Sequence, residues 1–179
     1  MQETEQTYLR GKLLFDTGRY AEASEPLREA AIAGSLEAMN DLGYLYRSGL
    51  GVAKDWTSAE AWYLKAAEAG HADACHNLVL VLLERDGEAA LPAALSWLQV
   101  NAARGHVLSQ LQLGQLYRRG TGVEADLNEA LRLFAAAASL GNDDAQFLVG
   151  LAAKYGAADH QGPFPAREAC EARALAGDT

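Results

Sequence analysis

Apolar residues recur three and four positions apart along most of the chain. In one stretch, Ala38, Leu42 and Tyr46 fall on one face of a predicted helix, and Ala59 and Tyr63 fall on one face of the next. Such spacings place side chains on the same side of an α-helix. Runs with alternating polarity are missing from the sequence and β-branched residues are few, so the pattern predicts an all-α chain.

The pair of helical patterns in residues 35–70 recurs in residues 106–141. Leu42-Gly43 falls on Leu113-Gly114, and Gly49-x-Gly51-Val52 falls on Gly120-x-Gly122-Val123. The glycines that end successive copies lie 36, 35, 36 and 36 residues apart, at Gly34, Gly70, Gly105, Gly141 and Gly177. A fixed period of this length is typical of repeat proteins built from helix-turn-helix units. We therefore predict one domain over residues 1–179 with repeats at 2–34, 35–70, 71–105 and 106–141 and a degenerate capping repeat at 142–177.

Three repeats depart from this pattern. The first lacks the two-glycine turn, and its first helix is predicted to pack through Leu9, Leu13 and Leu14. The third has Val79 where its neighbours have glycine. The fifth has a loop containing Gly and Pro at 156–165 before a predicted closing helix at 166–176.

Composition and charge restrict the partners. The net charge of −9 disfavours nucleic acid and anionic membranes, and the apolar runs are too short for a transmembrane helix. An acidic surface accommodates a basic partner, although solubility alone also accounts for this charge.

The two cysteines, Cys75 and Cys170, fall in different repeats, so a disulfide is not expected and a reducing compartment is the simpler assignment. The first residues are polar and acidic, unlike a signal peptide. The sequence as written therefore predicts a cytoplasmic location, and a periplasmic one if a leader has been removed ahead of the first repeat.

The residues that could bind phosphate or metal or take part in catalysis are better explained by structural roles. Gly49-Leu50-Gly51-Val52 is not followed by the Lys and Ser/Thr of a phosphate-binding loop, and left-handed backbone in a turn requires glycine in any case. His71 and His106 hold the same repeat position, and neither His-Glu-x-x-His nor Cys-x-x-Cys occurs. We predict no catalytic residue, no metal site and no cofactor.

The second and fourth repeats share one motif, written in the second as Ala38-x3-Leu42-Gly43-x2-Tyr46-x2-Gly49-x-Gly51-Val52-x2-Asp55 and then Ala59-x2-Trp62-Tyr63-x2-Ala66-Ala67-x2-Gly70. This motif resembles that of the Sel1-like repeat family, which is related to tetratricopeptide repeats. The resemblance implies an α/α superhelix, here a right-handed solenoid of about five helix-turn-helix repeats, that binds proteins or peptides as an adaptor or scaffold. Some members neutralise secreted bacterial toxins as immunity proteins, and some disulfide-rich relatives are assigned ligand-binding or hydrolytic activity.

In such a superhelix the first helix of each repeat lines the concave face. The positions flanking each Leu-Gly pair, with those one turn away, predict a partner-binding surface made of Tyr8, Lys12, Glu37, Asn40, Tyr44, Arg47, Asp73, His76, Leu80, Leu108, Leu111, Gln115, Arg118, Phe147 and Leu151. Glu5 and Asp144 extend its charged rim. The predicted apolar anchors are Tyr8, Tyr44, Leu111 and Phe147, and the predicted orienting charges are Arg47, Arg118, Glu37 and Asp73. The alternative is that close packing of neighbouring first helices buries these side chains.

Together these patterns predict a non-catalytic protein–protein interaction module. Its partner is a protein or peptide, with a basic protein and a secreted toxin as the two specific candidates. The alternatives are an immunity protein, a scaffold that self-associates through an end repeat, and a Sel1-like hydrolase or ligand-binding protein. The sequence leaves the oligomeric state open.

Overall fold

A computed structural model describes residues 2–155, and within this range every regular element is helical. Nine α-helices and one short 3₁₀ segment, Gly87–Ala90, are found there: α1 (Gln2–Asp16), α2 (Tyr20–Ile32), α3 (Leu36–Ser48), α4 (Trp56–Glu68), α5 (Ala72–Asp86), α6 (Leu91–Ala103), α7 (Val107–Arg119), α8 (Leu127–Ser139) and α9 (Asp143–Tyr155). The all-α prediction is confirmed. The predicted loop at 156–165, the closing helix at 166–176, Cys170 and Gly177 lie outside the described residues.

The chain divides between Trp97 and Leu98 into two compact units, called here the N-terminal and C-terminal units. In the N-terminal unit, helices adjacent in the chain pack on each other, and α1, α3 and α5 also contact one another in sequence order. In the C-terminal unit, α7 packs on α8 and α8 on α9. The odd-numbered helices are the first helices of the repeats (helix A) and the even-numbered ones are the second (helix B). The single domain and the right-handed superhelix stay predictions.

Helix starts are set by side chains that accept hydrogen bonds from free backbone amides. The Ser35 hydroxyl accepts from the amide of Ala38 at 3.2 Å, and the Asp55 carboxylate accepts from that of Thr57 at 3.0 Å. His71 and His106 do the same through Nδ1, at 3.1 and 3.3 Å. The repeated histidine position is therefore a helix cap.

The two-glycine turn is required by packing as well as by backbone geometry. Gly49 ends α3 with φ of 71°, and Gly51 has φ of 72°. A Cβ on Gly51 would lie 2.3 Å from the backbone nitrogen of Ala21, so the turn of the second repeat sits directly against the start of α2. The interpretation of this motif as a structural turn is confirmed.

In the second and fourth repeats, helix A contacts helix B where a glycine faces an aromatic ring. A Cβ on Gly43 would lie 2.8 Å from Cε1 of Tyr63, and one on Gly114 would lie 2.6 Å from Cε1 of Phe134. Both rings are fully buried. The glycine thus lets the backbone of helix A rest on the ring, and the ring fills the space that a side chain would otherwise occupy.

The prediction for the first helix is wrong at two positions. Leu9 and Leu13 are 56% and 66% exposed, whereas Leu14 packs on the core formed by α2 and α3. In α3 the residues at the positions of Leu9 and Leu13 are Asp41 and Leu45, which are buried because the preceding repeat covers that side. Tyr8 and Lys12 of α1 lie against Asp41, and Leu45 belongs to the core cluster that α3 forms with α2. The described helices place no such cover over this side of α1.

Gly43→Ala is expected to lower the free energy of unfolding by about 1–3 kcal/mol, because its methyl group would overlap the Tyr63 ring. Gly150→Ala is the matched control, because Gly150 holds the same position in α9 and the structure describes no atom within 4 Å of a methyl group there. That control should gain about 0.5–1 kcal/mol, since alanine favours helix over glycine. Urea unfolding followed by circular dichroism measures both changes.

A double-mutant cycle tests whether the Tyr63 ring causes the loss of stability in Gly43→Ala. Tyr63→Leu should offset part of the cost of Gly43→Ala, because repeat three combines Val79 with Leu98 at the corresponding positions of its sequence. Additive losses, or equal losses from the two glycine substitutions, would contradict the glycine–ring account.

Candidate functional site

The predicted binding residues of the N-terminal unit lie on α1, α3 and α5, whose side-by-side packing brings them together. We call this surface the A-helix face. It is defined by Glu5, Tyr8, Lys12, Phe15, Glu37, Asn40, Asp41, Tyr44, Arg47, Asp73, His76, Asn77, Leu80 and Glu84. Glu5, Glu37, Tyr44, Asp73 and Glu84 are exposed, Asp41 is buried, and the other members are half-buried.

An aromatic cluster occupies the part of the A-helix face shared by α1 and α3. Tyr44 is 38% exposed and meets Phe15 edge to face, with ring centroids 5.6 Å apart. Phe15 also packs against Tyr20, at 5.5 Å, and carries the ammonium of Lys12 at 4.7 Å from its centroid. The predictions missed Phe15. The repeat alignment could have found it, because Phe15 holds the position in the first repeat that Arg47 holds in the second.

A buried carboxylate lies beneath this cluster. Asp41 is only 8% exposed, and its Oδ2 accepts from the Tyr8 hydroxyl at 3.4 Å and lies 3.6 Å from the Lys12 ammonium. Lys12 also pairs with Asp16 at 3.0 Å. Burial raises the pKa of the Asp41 carboxyl, and the opposing effects of Lys12 and Tyr8 are smaller. Burial, with the nearby charges of Asp41 and Glu37, raises the pKa of Tyr8 to about 12, so its hydroxyl stays a donor.

Polar side chains also link α3 to α5. Asn77 Nδ2 donates to Asn40 Oδ1 at 2.9 Å, and Arg47 Nε donates to Glu84 at 3.0 Å. The Asn40–Asn77 pair is the repeat equivalent of the Tyr8–Asp41 pair, one repeat further along the chain. At this repeat position one hydrogen bond joins α1 to α3 and another joins α3 to α5, and we call these two bonds, Tyr8–Asp41 and Asn40–Asn77, the ladder.

The C-terminal unit carries the remaining predicted residues. Leu108 is 47% exposed on α7, and Leu111, Gln115 and Arg118 of the same helix are half-buried. Burial, with the charge of Arg119, lowers the pKa of the Arg118 guanidinium.

On α9, Phe147 is half-buried and packs against the core cluster of Leu151 and Ala152, as do Leu127 and Leu131. Leu151, at 8% exposure, belongs to the same core cluster and is not part of an accessible surface.

The described residues contain no group of three or more His, Cys, Asp or Glu side chains that could hold a metal ion. None of the helices described is both long enough and apolar enough to span a membrane.

Most polar groups on the A-helix face instead bond to one another across helices. Such an arrangement fixes the shape of a surface and leaves its exposed side chains for contact with another molecule.

Two segments of the chain, residues 36–71 and 107–142, match the family model of the Sel1 repeat. The Sel1 repeat protein of Oxalobacter formigenes has a crystal structure that is 31% identical, with a TM-score of 0.74, over 87% of this chain and 65% of that one. A protective antigen of uropathogenic Escherichia coli with an SLR fold is 27% identical, with a TM-score of 0.52, over 89% and 43% of the two chains. A sel1-like repeat-containing protein of Acanthamoeba polyphaga mimivirus is 26% identical over 133 residues, which are 74% of this chain and 24% of that protein.

These similarities confirm the Sel1-like resemblance and the α-solenoid fold class. The two matched segments are the second and fourth repeats, where the glycine–ring contacts lie. Repeats of this family are generally protein-interaction modules. The chain spans less than two thirds of the length of each of the three relatives.

Asp41→Asn should make the folded protein at least as stable as the wild type at neutral pH. A carboxyl whose pKa is raised by folding stabilises the folded state fully below its ordinary pKa of 3.8, and that contribution is lost as the pH rises through the raised value. The stability difference between variant and wild type should therefore shrink as the pH falls. Urea unfolding at a series of pH values measures this difference.

Asp55→Asn is a control variant whose stability at neutral pH should change in the opposite direction. Hydrogen bonds from Ser58 and Thr57 lower the pKa of Asp55, so its contribution is present at neutral pH and is lost as the pH falls through the lowered value. This variant should be less stable than the wild type at neutral pH. The same sign for both variants would contradict the assigned causes.

Proposed function

We propose that this Sel1 repeat protein is a non-catalytic adaptor or scaffold that binds a protein or peptide partner through its A helices. The observation that carries the proposal is Tyr44, a large aromatic side chain that is exposed yet held in place by its edge contact with Phe15. Aromatic and arginine side chains of this kind dominate binding energies at protein interfaces.

The surroundings of Tyr44 support binding over simple solvation. Lys12 and Arg47 are each fixed by carboxylates, at Asp16, Asp41 and Glu84. Side chains that are already ordered in the free protein lose little conformational entropy when a partner binds. The A-helix face is thus preorganised around one exposed ring.

The C-terminal unit offers a second apolar contact surface on α7. Leu108 is exposed there, and Leu111 lies one turn away at half burial. Phe147, on α9, is another of the four predicted apolar residues of this unit and is half-buried. In the proposal these side chains contact the same partner as Tyr44.

The histidine, cysteine and aspartate side chains that could take part in catalysis have structural roles, which supports the proposal of a non-catalytic protein. His71 and His106 cap helices, and the buried thiol of Cys75 lies 3.5 Å from the carbonyl oxygen of Trp97. Asp55 and Asp126 cap α4 and α8. The alternative of an immunity protein uses the same surfaces and differs only in its partner, a secreted toxin whose growth inhibition co-expression would relieve.

Tyr44→Ala and Leu111→Ala should each weaken binding of the native partner by about tenfold, because truncating a central apolar anchor costs more than about 1 kcal/mol. The partner is first captured from the native host and identified by mass spectrometry. Its affinity for purified wild-type and variant proteins is then measured by isothermal titration calorimetry.

Ile32→Ala and Leu140→Ala are the matched controls, because each removes an exposed apolar side chain elsewhere, one in each compact unit. Both should leave the affinity unchanged. Circular dichroism establishes that all four variants are folded. Folded Tyr44→Ala and Leu111→Ala proteins with wild-type affinity would remove the proposal.

A further inference from the structure

We infer that the A-helix face of the N-terminal unit binds an extended, basic protein segment that crosses α1, α3 and α5. The inference rests on the proposed function and adds to it the chemical class of the partner. Three features of the face favour a basic segment: the balance of its charges, the hydrogen-bonding groups that its asparagine pair leaves unused, and the spacing of its acidic residues.

The cations of this face are already neutralised, whereas two of its acids are not. Lys12 pairs with Asp16 and Asp41, and Arg47 pairs with Glu84. Within residues 2–155, Glu5 forms no ion pair, and Glu37 accepts only a hydrogen bond from Ser35 at 3.2 Å. The face therefore presents unbalanced negative charge, and on α3 this charge lies about two helical turns from the exposed Tyr44 ring. A partner that complements it is cationic, because like charges brought together at an interface are strongly unfavourable.

The asparagine pair can form hydrogen bonds with the backbone of an extended chain. The bond from Asn77 Nδ2 to Asn40 Oδ1 leaves the Nδ2 donor of Asn40 and the Oδ1 acceptor of Asn77 without a partner among the described residues. Reversing the orientation of both amides would still leave one donor group and one acceptor. A peptide backbone in extended conformation offers the matching carbonyl and amide groups, which a helix would have used internally.

The acidic residues set the spacing of the basic ones. Glu5, Glu37 and Asp73 hold the same repeat position on α1, α3 and α5 and are all exposed. Packed helices lie about 8–10 Å apart. An extended chain in the polyproline II conformation covers that distance in three residues, at about 3.1 Å each, and brings every third side chain to the same side. The segment is therefore expected to carry Lys or Arg at every third position, opposite these three acids.

The experiment uses a fluorescein-labelled dodecapeptide with Lys at every third position and Ala or Leu between, and its twin with Glu in place of Lys. Fluorescence anisotropy with the full chain should show binding of the Lys peptide and not of the Glu peptide. Glu5→Gln combined with Glu37→Gln should weaken that binding by about fivefold or more. Methylating the central backbone nitrogens of the Lys peptide should also weaken it, because the methylated amides cannot donate to Asn77.

Glu29→Gln combined with Glu68→Gln is the matched control. Both residues are exposed on B helices of the same unit, and the double variant removes the same two negative charges. It should leave the affinity for the Lys peptide unchanged. Equal weakening by both double variants would assign the binding to bulk acidity and overturn the inference, as would failure of the Lys peptide to bind or equal binding of the Glu peptide.

The captured native partner separates this inference from the proposed function. A partner that depends on Tyr44 and is unaffected by the Glu5→Gln, Glu37→Gln double variant overturns the basic segment and leaves the adaptor in place. A partner that is indifferent to both Tyr44→Ala and Leu111→Ala overturns the adaptor itself.

Discussion

The contact between a glycine and a buried ring holds each matched repeat together. Gly43 and Gly114 lack a side chain at the points where the Tyr63 and Phe134 rings press against helix A. The ring supplies the buried apolar area that the glycine cannot, and the glycine supplies the space that the ring needs. The fit of the ring against the glycine sets how closely helix A approaches helix B. The side of helix A that faces away from helix B remains for other contacts.

Those other contacts run between repeats. Because α1, α3 and α5 lie side by side, each A helix has an edge toward every neighbouring A helix and one row of residues at the surface. Hydrogen bonds of Tyr8 with Asp41 and of Asn40 with Asn77 join these edges, while Tyr44 lies among the surface residues. Core packing thus occupies the consensus residues of the repeat, and the residues that vary between repeats form the surface.

Most of the fold could be predicted from the sequence, because helical periodicity and the glycine spacing are local signals repeated several times. The alignment of repeats also placed Tyr44, Asn40 and Arg47 on one surface. The burial of Asp41 was not predictable in this way, since it depends on a lysine and a tyrosine supplied by the preceding repeat. The exposure of Leu9 and Leu13 was missed for a related reason, because an apolar residue at a packing position is buried only where a neighbouring helix covers it. Periodicity within one helix contains no information about that neighbour.

The ladder has a consequence for how the N-terminal unit assembles. The glycine–ring contact closes within one repeat, whereas the ladder joins residues 33 and 37 positions apart in the chain, in successive repeats. Closing the shorter loop costs less chain entropy, so each hairpin can form before it is joined to the next. Folding of such a chain proceeds by nucleation in one hairpin and growth to its neighbours, at the high rates typical of local contacts. The hydrogen bonds between A helices then add to the apolar packing of α2 on α3 and of α4 on α5, and together these contacts make neighbouring hairpins melt together.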